Sequence, residues 1–259
     1  MAQQSADNCP FPPVIELLSI DSTNNYALSL LKQPNLTERQ ETLQHGSAVF
    51  AHEQYAGKGQ RGKTWQSKKG ENVHLSVVLN PEKTGLHQQF LLVALVALAV
   101  RTVFERYAQS DIVIKWPNDI YFNNRKACGI LIENIISGRD WKWAVAGIGM
   151  NINQVDFSNV TDRQPVSLRQ ITGKSFDCLQ IAGEVRNEIL QQYEHADLQK
   201  LMIEYNRFLY KKNETVVFEK EGNRLAGIVK GVSPDGKLRV QVDAAMRSFD
   251  FGEVQWLIH

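Results

Sequence analysis

Cysteine is scarce in this chain: Cys9, Cys128 and Cys178 are the three among 259 residues. Odd in number and widely spaced, they exclude a disulfide framework and fit a reducing compartment, so a cytoplasmic protein is expected. Cys128 lies in an apolar stretch and reads as a small core residue. The histidines, His45, His52, His74, His87, His195 and His259, show no ligand spacing with one another or with the cysteines, so no structural zinc is expected. Charge of one sign is lacking as well. A formal net charge of +1 leaves no broad basic excess of the kind that holds nucleic acid. Long apolar runs are missing too. The longest, Phe90 to Val100, is about half a bilayer span and is followed by Arg101, so it reads as a buried helix. The opening MAQQSADNCPFPP has neither the apolar core nor the cleavage pattern of a signal peptide. No internal repeat and no low-complexity segment is visible.

What is present is a local concentration of glycine and positive charge. The stretch Glu53 to Ser67, EQYAGKGQRGKTWQS, satisfies three phosphate-loop patterns. Gly57, Gly62, Lys63 and Thr64 fit G-x-x-x-x-G-K-[ST]; Gly57, Gly59 and Gly62 fit G-x-G-x-x-G, which dinucleotide folds and kinase loops share. Both folds need a helix after the loop to help hold phosphate. Here a polar run, Trp65 to Asn72, leads instead into a second strand, Val73 to Leu79. A loop between two strands remains. It is either a flexible basic surface loop or one whose backbone and cations approach a small anion.

Around it the chain reads as α+β: a mixed, largely antiparallel sheet with helices, followed by a small β-barrel. Residues 1–210 are expected to form the larger domain and residues 211–259 the barrel, where turn signals separate short strands at Thr215–Lys220, Leu225–Val232, Lys237–Val242 and Met246–Phe251. In the larger part, Val14 to Ile20 reads as a first strand and Tyr26 to Lys32 as a helix with Asp21 or Ser22 as N-cap. Pro34 ends that helix, and Thr37 to Gln44 is a short helix or a loop. Gly46 to Glu53 and Val73 to Asn80 flank the glycine loop, and His87 to Tyr107 is the long helix. Ile112 to Lys115 is a strand that Trp116-Pro117-Asn118-Asp119 interrupts, since proline cannot donate to a ladder. Asn123-Asn124 turns the chain into a return strand, Arg125 to Ile136, with Gly129 inside it. Trp141 to Ile148 follows and leads into a turn at Gly147 to Asn151. Pro165 to Thr172, Asp177 to His195 and Leu198 to Tyr210 read as helices.

Three segments together resemble the biotin–protein ligases: Asp21-Ser22-Thr23-Asn24, then Gln54 to Trp65, then Lys115-Trp116-Pro117-Asn118-Asp119 with Arg125-Lys126-Ala127-Cys128-Gly129-Ile130-Leu131. Their order and spacing are far more specific than the glycine loop alone, and the resemblance runs from about Val14 to the end. It implies a class II synthetase-like catalytic domain with a small C-terminal barrel. The implied reaction has two steps: biotin and magnesium–ATP give biotinyl-5′-adenylate, and the activated carboxyl passes to one lysine of a biotin carboxyl carrier protein. By resemblance Lys126 bridges the biotin carboxylate and the α-phosphate, with Arg61 and Lys58 as the other catalytic cations. The biotin site implied is Ser22, Thr23, Asn24, Gln54, Gly57, Lys58, Gly59, Gln60, Lys126, Gly129 and Leu131. Arg61, Lys63, Trp65, Asn118, Lys126 and Asn151 would serve ATP and the adenylate, and Asp119 would position magnesium or the acceptor amine.

Two departures from the family pattern stand out. Lys58 and Gln60 occupy positions where arginines are usual, so one fork of hydrogen bonds and one charge are lost, which bears on adenylate retention. The catalytic strand begins near Val14, so no DNA-binding domain of the kind some relatives carry, and no direct DNA binding, is expected; nor is any membrane segment. Some relatives are homodimers joined at sheet edges and others monomers, and the sequence leaves this open. Lipoate–protein ligases and octanoyltransferases resemble this family in fold and keep a lysine like Lys126. A sensor that binds biotinyl-adenylate without transferring it is a further alternative, for which loss of that lysine would be the signature.

Overall fold

A computed structural model describes residues 11–32, 43–82, 85, 88–158 and 165–257. The expectations for residues 37–42, and for Cys9, Pro34, His87 and His259, lie outside them. Strand β1 is Val14–Leu17, helix α1 Thr23–Lys32, β2 Ala48–Ala51 and β3 Asn72–Leu79. Helix α2, Gln89–Ala108, precedes β4 (Val113–Lys115), β5 (Asp119–Phe122), β6 (Arg125–Ser137) and β7 (Asp140–Asn151). Helices α3 (Leu168–Thr172), α4 (Cys178–Glu194) and α5 (Leu198–Arg207) follow. Five strands close the chain: β8 (Thr215–Lys220), β9 (Asn223–Val232), β10 (Leu238–Val242), β11 (Ala245–Phe249) and β12 (Gln255–Leu257).

The large sheet has the order β1-β2-β3-β7-β6-β5-β4. The β1–β2 pair is parallel and its other pairs are antiparallel, as the α+β reading expected. Side chains alternate between its two faces. On β3, Val73, Leu75, Val77 and Leu79 join the main core, and on β7 so do Ala144, Ala146, Ile148 and Met150. That face is covered by α2 and α4. Helix α2 has apolar residues all round because it is buried between the sheet and the helices α4 and α5. Its Arg101 is held by a pair with Glu105 and a 2.7 Å bond from Nε to the Ile112 carbonyl.

The opposite face decides where a ligand can sit. Helix α1 covers β2, β3 and β7, packing Ala27 and Leu30 with Val49, Val78 and Val145. Two residues along β7 from Val145 comes Gly147, then Gly149, then Asn151; along the paired β6 run Gly129, Leu131 and Glu133. Gly129 stands opposite Gly149. Side-chain bulk therefore disappears just beyond the start of α1, leaving a smooth floor. Gly147 to Asn151 is extended strand, not the expected turn: both glycines sit in register with β3 and β6, and their role is to lower the floor.

The C-terminal sheet is antiparallel, in the order β11-β10-β9-β8-β12, with Phe218, Val229, Leu238, Val240 and Trp256 buried. It docks against α5 and the segment between β4 and β5 through definite bonds. Trp116 Nε1 donates to the Gly236 carbonyl at 2.9 Å, and Asn206 accepts from Val232 N at 2.6 Å. No helix among the described residues is long and apolar enough to cross a membrane.

Candidate active site

A cavity of about 760 Å³ lies between the glycine loop, the glycine floor and the C-terminal sheet. Its wall near the start of α1 is neutral and rich in hydrogen-bonding groups. Thr23 donates to Gln54 Oε1 from its backbone N at 2.8 Å and from its hydroxyl at 3.0 Å. Ser76, buried on β3, places its hydroxyl 2.7 Å from Thr23 Oγ1 and 2.6 Å from Asn24 Oδ1. Asn24 Nδ2 donates to Glu133 Oε2 at 2.8 Å. The Asn24 amide lies directly over Gly147, where an added Cβ would stand 2.4 Å from Oδ1. Such interlocked amides and hydroxyls are fixed before any ligand arrives, which favours recognition of a neutral polar group.

The wall across β6, β5 and β4 is cationic. Lys126, at the start of β6, sits 2.8 Å from Asp119 Oδ1 on β5. Lys115 ends β4 directly across from Asp119 and also lines the cavity. Asp119 is the one carboxylate among the described residues lining it.

The glycine loop is itself a small hairpin. Lys58 and Thr64 form an antiparallel bridge, and Trp65 N donates to the Gly57 carbonyl at 2.8 Å. Arg61 and Gly62 turn its tip with φ of 56° and 75°. From that tip Arg61 donates to the Gly252 carbonyl at 3.2 Å, with its guanidinium 5.7 Å from the Phe251 ring centre. Lys58 stands 3.9 Å from Glu133, and Gln60 donates to the Ile130 carbonyl at 3.3 Å. The Trp65 indole lies on the floor: a Cβ at Gly149 would come within 2.4 Å of it, and one at Gly129 within 3.0 Å. Its Nε1 is buried with no hydrogen-bond partner among the described residues, a cost of about 1–3 kcal/mol.

At the loop's exit, Ser67 Oγ lies 2.6 Å from Nε2 of the buried His74, whose Nδ1 lies 3.0 Å from the Ala51 carbonyl. Burial holds His74 below its ordinary pKa, opposed by that backbone bond. The ring is then neutral, with Nδ1 donating to Ala51 and Nε2 accepting from Ser67.

Of the residues singled out from the sequence, Ser22, Thr23, Asn24, Gln54, Lys58, Gly59, Gln60, Arg61, Lys63, Trp65, Asp119, Lys126, Gly129, Leu131 and Asn151 all line the cavity. Two of those expected at the ligand do not line it. Gly57 shapes the loop, since a Cβ there would come within 2.6 Å of the Trp65 carbonyl. Asn118 is buried between Pro117 and Asp119, donating to the Ile130 carbonyl at 2.8 Å while its Oδ1 has no partner among the described residues. The sequence reading passed over Ser76, Glu133, Gly147 and Lys115, and Phe251, Gly252 and Trp256 of the C-terminal sheet. Ser76 had a signal, the lone hydroxyl of a strand whose second half is apolar; the C-terminal residues had none.

Residues 18–151 match the biotin/lipoate A/B protein ligase family, more than half of the chain. The chain belongs to that family. Residues 213–256, the C-terminal sheet, match the biotin protein ligase C terminal domain. This ligase chain is 27% identical over 241 residues to the bifunctional ligase/repressor BirA of Escherichia coli (strain K12), covering 91% of itself and 71% of that protein. It is 35% identical over 166 residues to the biotin–[acetyl-CoA-carboxylase] ligase of Paracoccus denitrificans, covering 62% of itself and 65% of the relative. In fold it resembles the biotin protein ligase from Aquifex aeolicus in complex with biotin and ATP, with a TM-score of 0.76 at 24% identity, over 95% of this chain and 99% of that one.

Proposed function

We propose that this ligase activates biotin with ATP to biotinyl-5′-adenylate and passes the biotinyl group to one lysine of a biotin carboxyl carrier domain. The observation that carries the reading is the polarity of the cavity. Its neutral cluster stands at β2 and β3, the sheet cations Lys126 and Lys115 stand at β6 and β4, the bare glycine floor runs between them, and the glycine loop adds Lys58, Arg61 and Lys63. A ligand with a neutral polar head, an apolar middle and an anionic tail fits that order. Biotin has this form, and its adenylate extends the anionic end.

In this reading Ser22, Thr23, Asn24 and Gln54 bind the ureido ring, and Gly129, Gly147 and Leu131 accommodate the thiophane and chain. Lys126 draws the biotin carboxylate and the α-phosphate together. An anion attacking an anion meets a repulsive barrier, which fixed cations lower. A carboxylate oxygen forms the bond to the α-phosphorus, and the bond to the β-phosphate bridging oxygen breaks with its electrons leaving on pyrophosphate. In the second step the acceptor amine attacks the anhydride carbonyl, and AMP departs. Asp119 orients Lys126. Lys58, Arg61, Lys63 and Trp65 close over the adenylate and keep water from the anhydride. Magnesium would enter with the ATP phosphates, and Asp119 is the cavity carboxylate that could meet it.

The test is direct. The chain is mixed with biotin, magnesium–ATP and a carrier domain, and the carrier is weighed by mass spectrometry. A biotin-sized mass gain supports the reading. A gain with lipoate or octanoate alone, or adenylate formed without transfer, overturns it.

A further inference from the structure

The in-line geometry of the first step assigns a role to a lysine that the sequence reading placed in the Lys115-to-Asp119 segment without giving it one. The biotin head is read at the β2 and β3 side, and its carboxylate reaches Lys126 on β6. Attack on the α-phosphorus then runs along the sheet toward β5 and β4. In an in-line displacement the leaving group departs opposite the nucleophile, so pyrophosphate leaves toward the β4 edge. At that edge stands Lys115, which is buried at 8% exposure, lines the cavity and lies across the strand pair from Asp119. Its ammonium is 5.4 Å from the Tyr121 ring centre and 5.6 Å from that of Trp256. One of those rings belongs to the large sheet and the other to the C-terminal sheet, so the cation is held by both. Unlike Lys58, Arg61 and Lys63, it does not ride on the glycine loop and is in place whether or not the loop is closed.

We propose that Lys115 is the leaving-group cation of the first half-reaction, binding the β- and γ-phosphates of ATP and stabilising the charge that develops on pyrophosphate. The inference rests on the ligase reading above. It also gives the C-terminal sheet a part in that step, since Trp256 helps fix the ammonium. The charge matters only while the bond to pyrophosphate is breaking. Once the adenylate exists, Lys115 has no leaving group to hold.

The experiment separates the half-reactions in the full chain. Biotin-dependent exchange of labelled pyrophosphate into ATP reports the first, and transfer from presynthesised biotinyl-5′-adenylate to the carrier domain reports the second. For Lys115→Gln we expect exchange to fall about 100-fold, the usual loss for one charge-stabilising donor. The KM for ATP should rise while the KM for biotin and the transfer rate stay within about twofold, and Lys115→Arg should recover part of the exchange. The retained transfer rate shows that the variant is folded. Equal losses in both half-reactions would make Lys115 a structural residue and overturn the proposal, as would unchanged exchange. Absence of exchange in the unaltered chain would instead overturn the ligase reading itself.

Discussion

Lys126 and Asp119 meet at 2.8 Å, Nζ to Oδ1, across the β5–β6 pair, with Lys126 at the head of its strand. The carboxylate holds the ammonium over the floor rather than letting it extend to solvent. Lys126→Ala should therefore lower the rate of carrier biotinylation by about 100- to 1,000-fold. Asp119→Asn, which keeps an acceptor but loses the charge, should cost less. Rates from carrier mass gain check this; an Asp119→Asn loss as deep as that of Lys126→Ala would mean that Asp119 meets substrate itself.

The glycines of the floor give a contrast that a generic loss of packing would not. Gly147→Ala would thrust a methyl against the Asn24 amide, so biotin affinity measured by calorimetry should fall by about tenfold or more, the loss of one well-placed hydrogen bond. Gly183 has nothing within 4 Å of an added Cβ and lies inside α4. Gly183→Ala should leave affinity unchanged and raise stability by up to about 1 kcal/mol.

Trp65 covers Gly129 and Gly149, where the adenylate would run, with its Nε1 unpartnered among the described residues. Adding biotin with ATP should move the indole and change tryptophan fluorescence, and Trp65→Phe should remove that change. Cleavage of the chain at Lys58, Arg61 or Lys63 by trypsin should slow in the same titration. Cleavage that continues at the same rate would count against closure.

Arg61 links the loop tip to the C-terminal sheet through the Gly252 carbonyl and Phe251. Gly252 has φ of 91°, and its Cβ would stand 2.2 Å from the Arg61 guanidinium carbon. Gly252→Ala should thus release Arg61 and let adenylate escape. Adenylate found free in solution after filtration should rise relative to the unaltered chain, while exchange of pyrophosphate continues.

His74 makes a prediction for pH. Burial lowers its folded-state pKa below the 6.5 expected of the unfolded chain. Well above pH 6.5 both states are neutral and the residue adds no slope. As pH falls below 6.5 the unfolded state takes up the proton first, so stability declines, by at most about 1.4 kcal/mol per pH unit, until the folded pKa is passed. Urea denaturation between pH 7.5 and pH 5 should show this decline, and His74→Asn should flatten it.

Much of the fold was legible locally. Proline at 117 broke β4 from β5, and Asn123-Asn124 marked the turn into β6; Asn123 adopts φ of 51°, as such a turn requires. The tail's first four strands were visible from their turns, β8 with both ends as read. The three-residue β12 was not, since so short a strand is defined by its pairing to β8 rather than by its own pattern. The last residues of β7 looked like a turn because glycine usually marks one, yet the ladders on either side hold them extended.

The site divides in the same way. By itself the sequence determined the chemistry available: a basic glycine loop, a lysine after a turn, a run of hydroxyls and amides, and their order along the chain. Only the tertiary structure decided that Gly129 would face Gly149, that Ser76 would fix Thr23 and Asn24, and that Lys115 would look into the same cavity as Trp256. Composition and turn propensity act between neighbours in the chain, so sequence carries them directly. Register and domain docking join residues far apart, and these are settled by which faces of the whole molecule can be buried together.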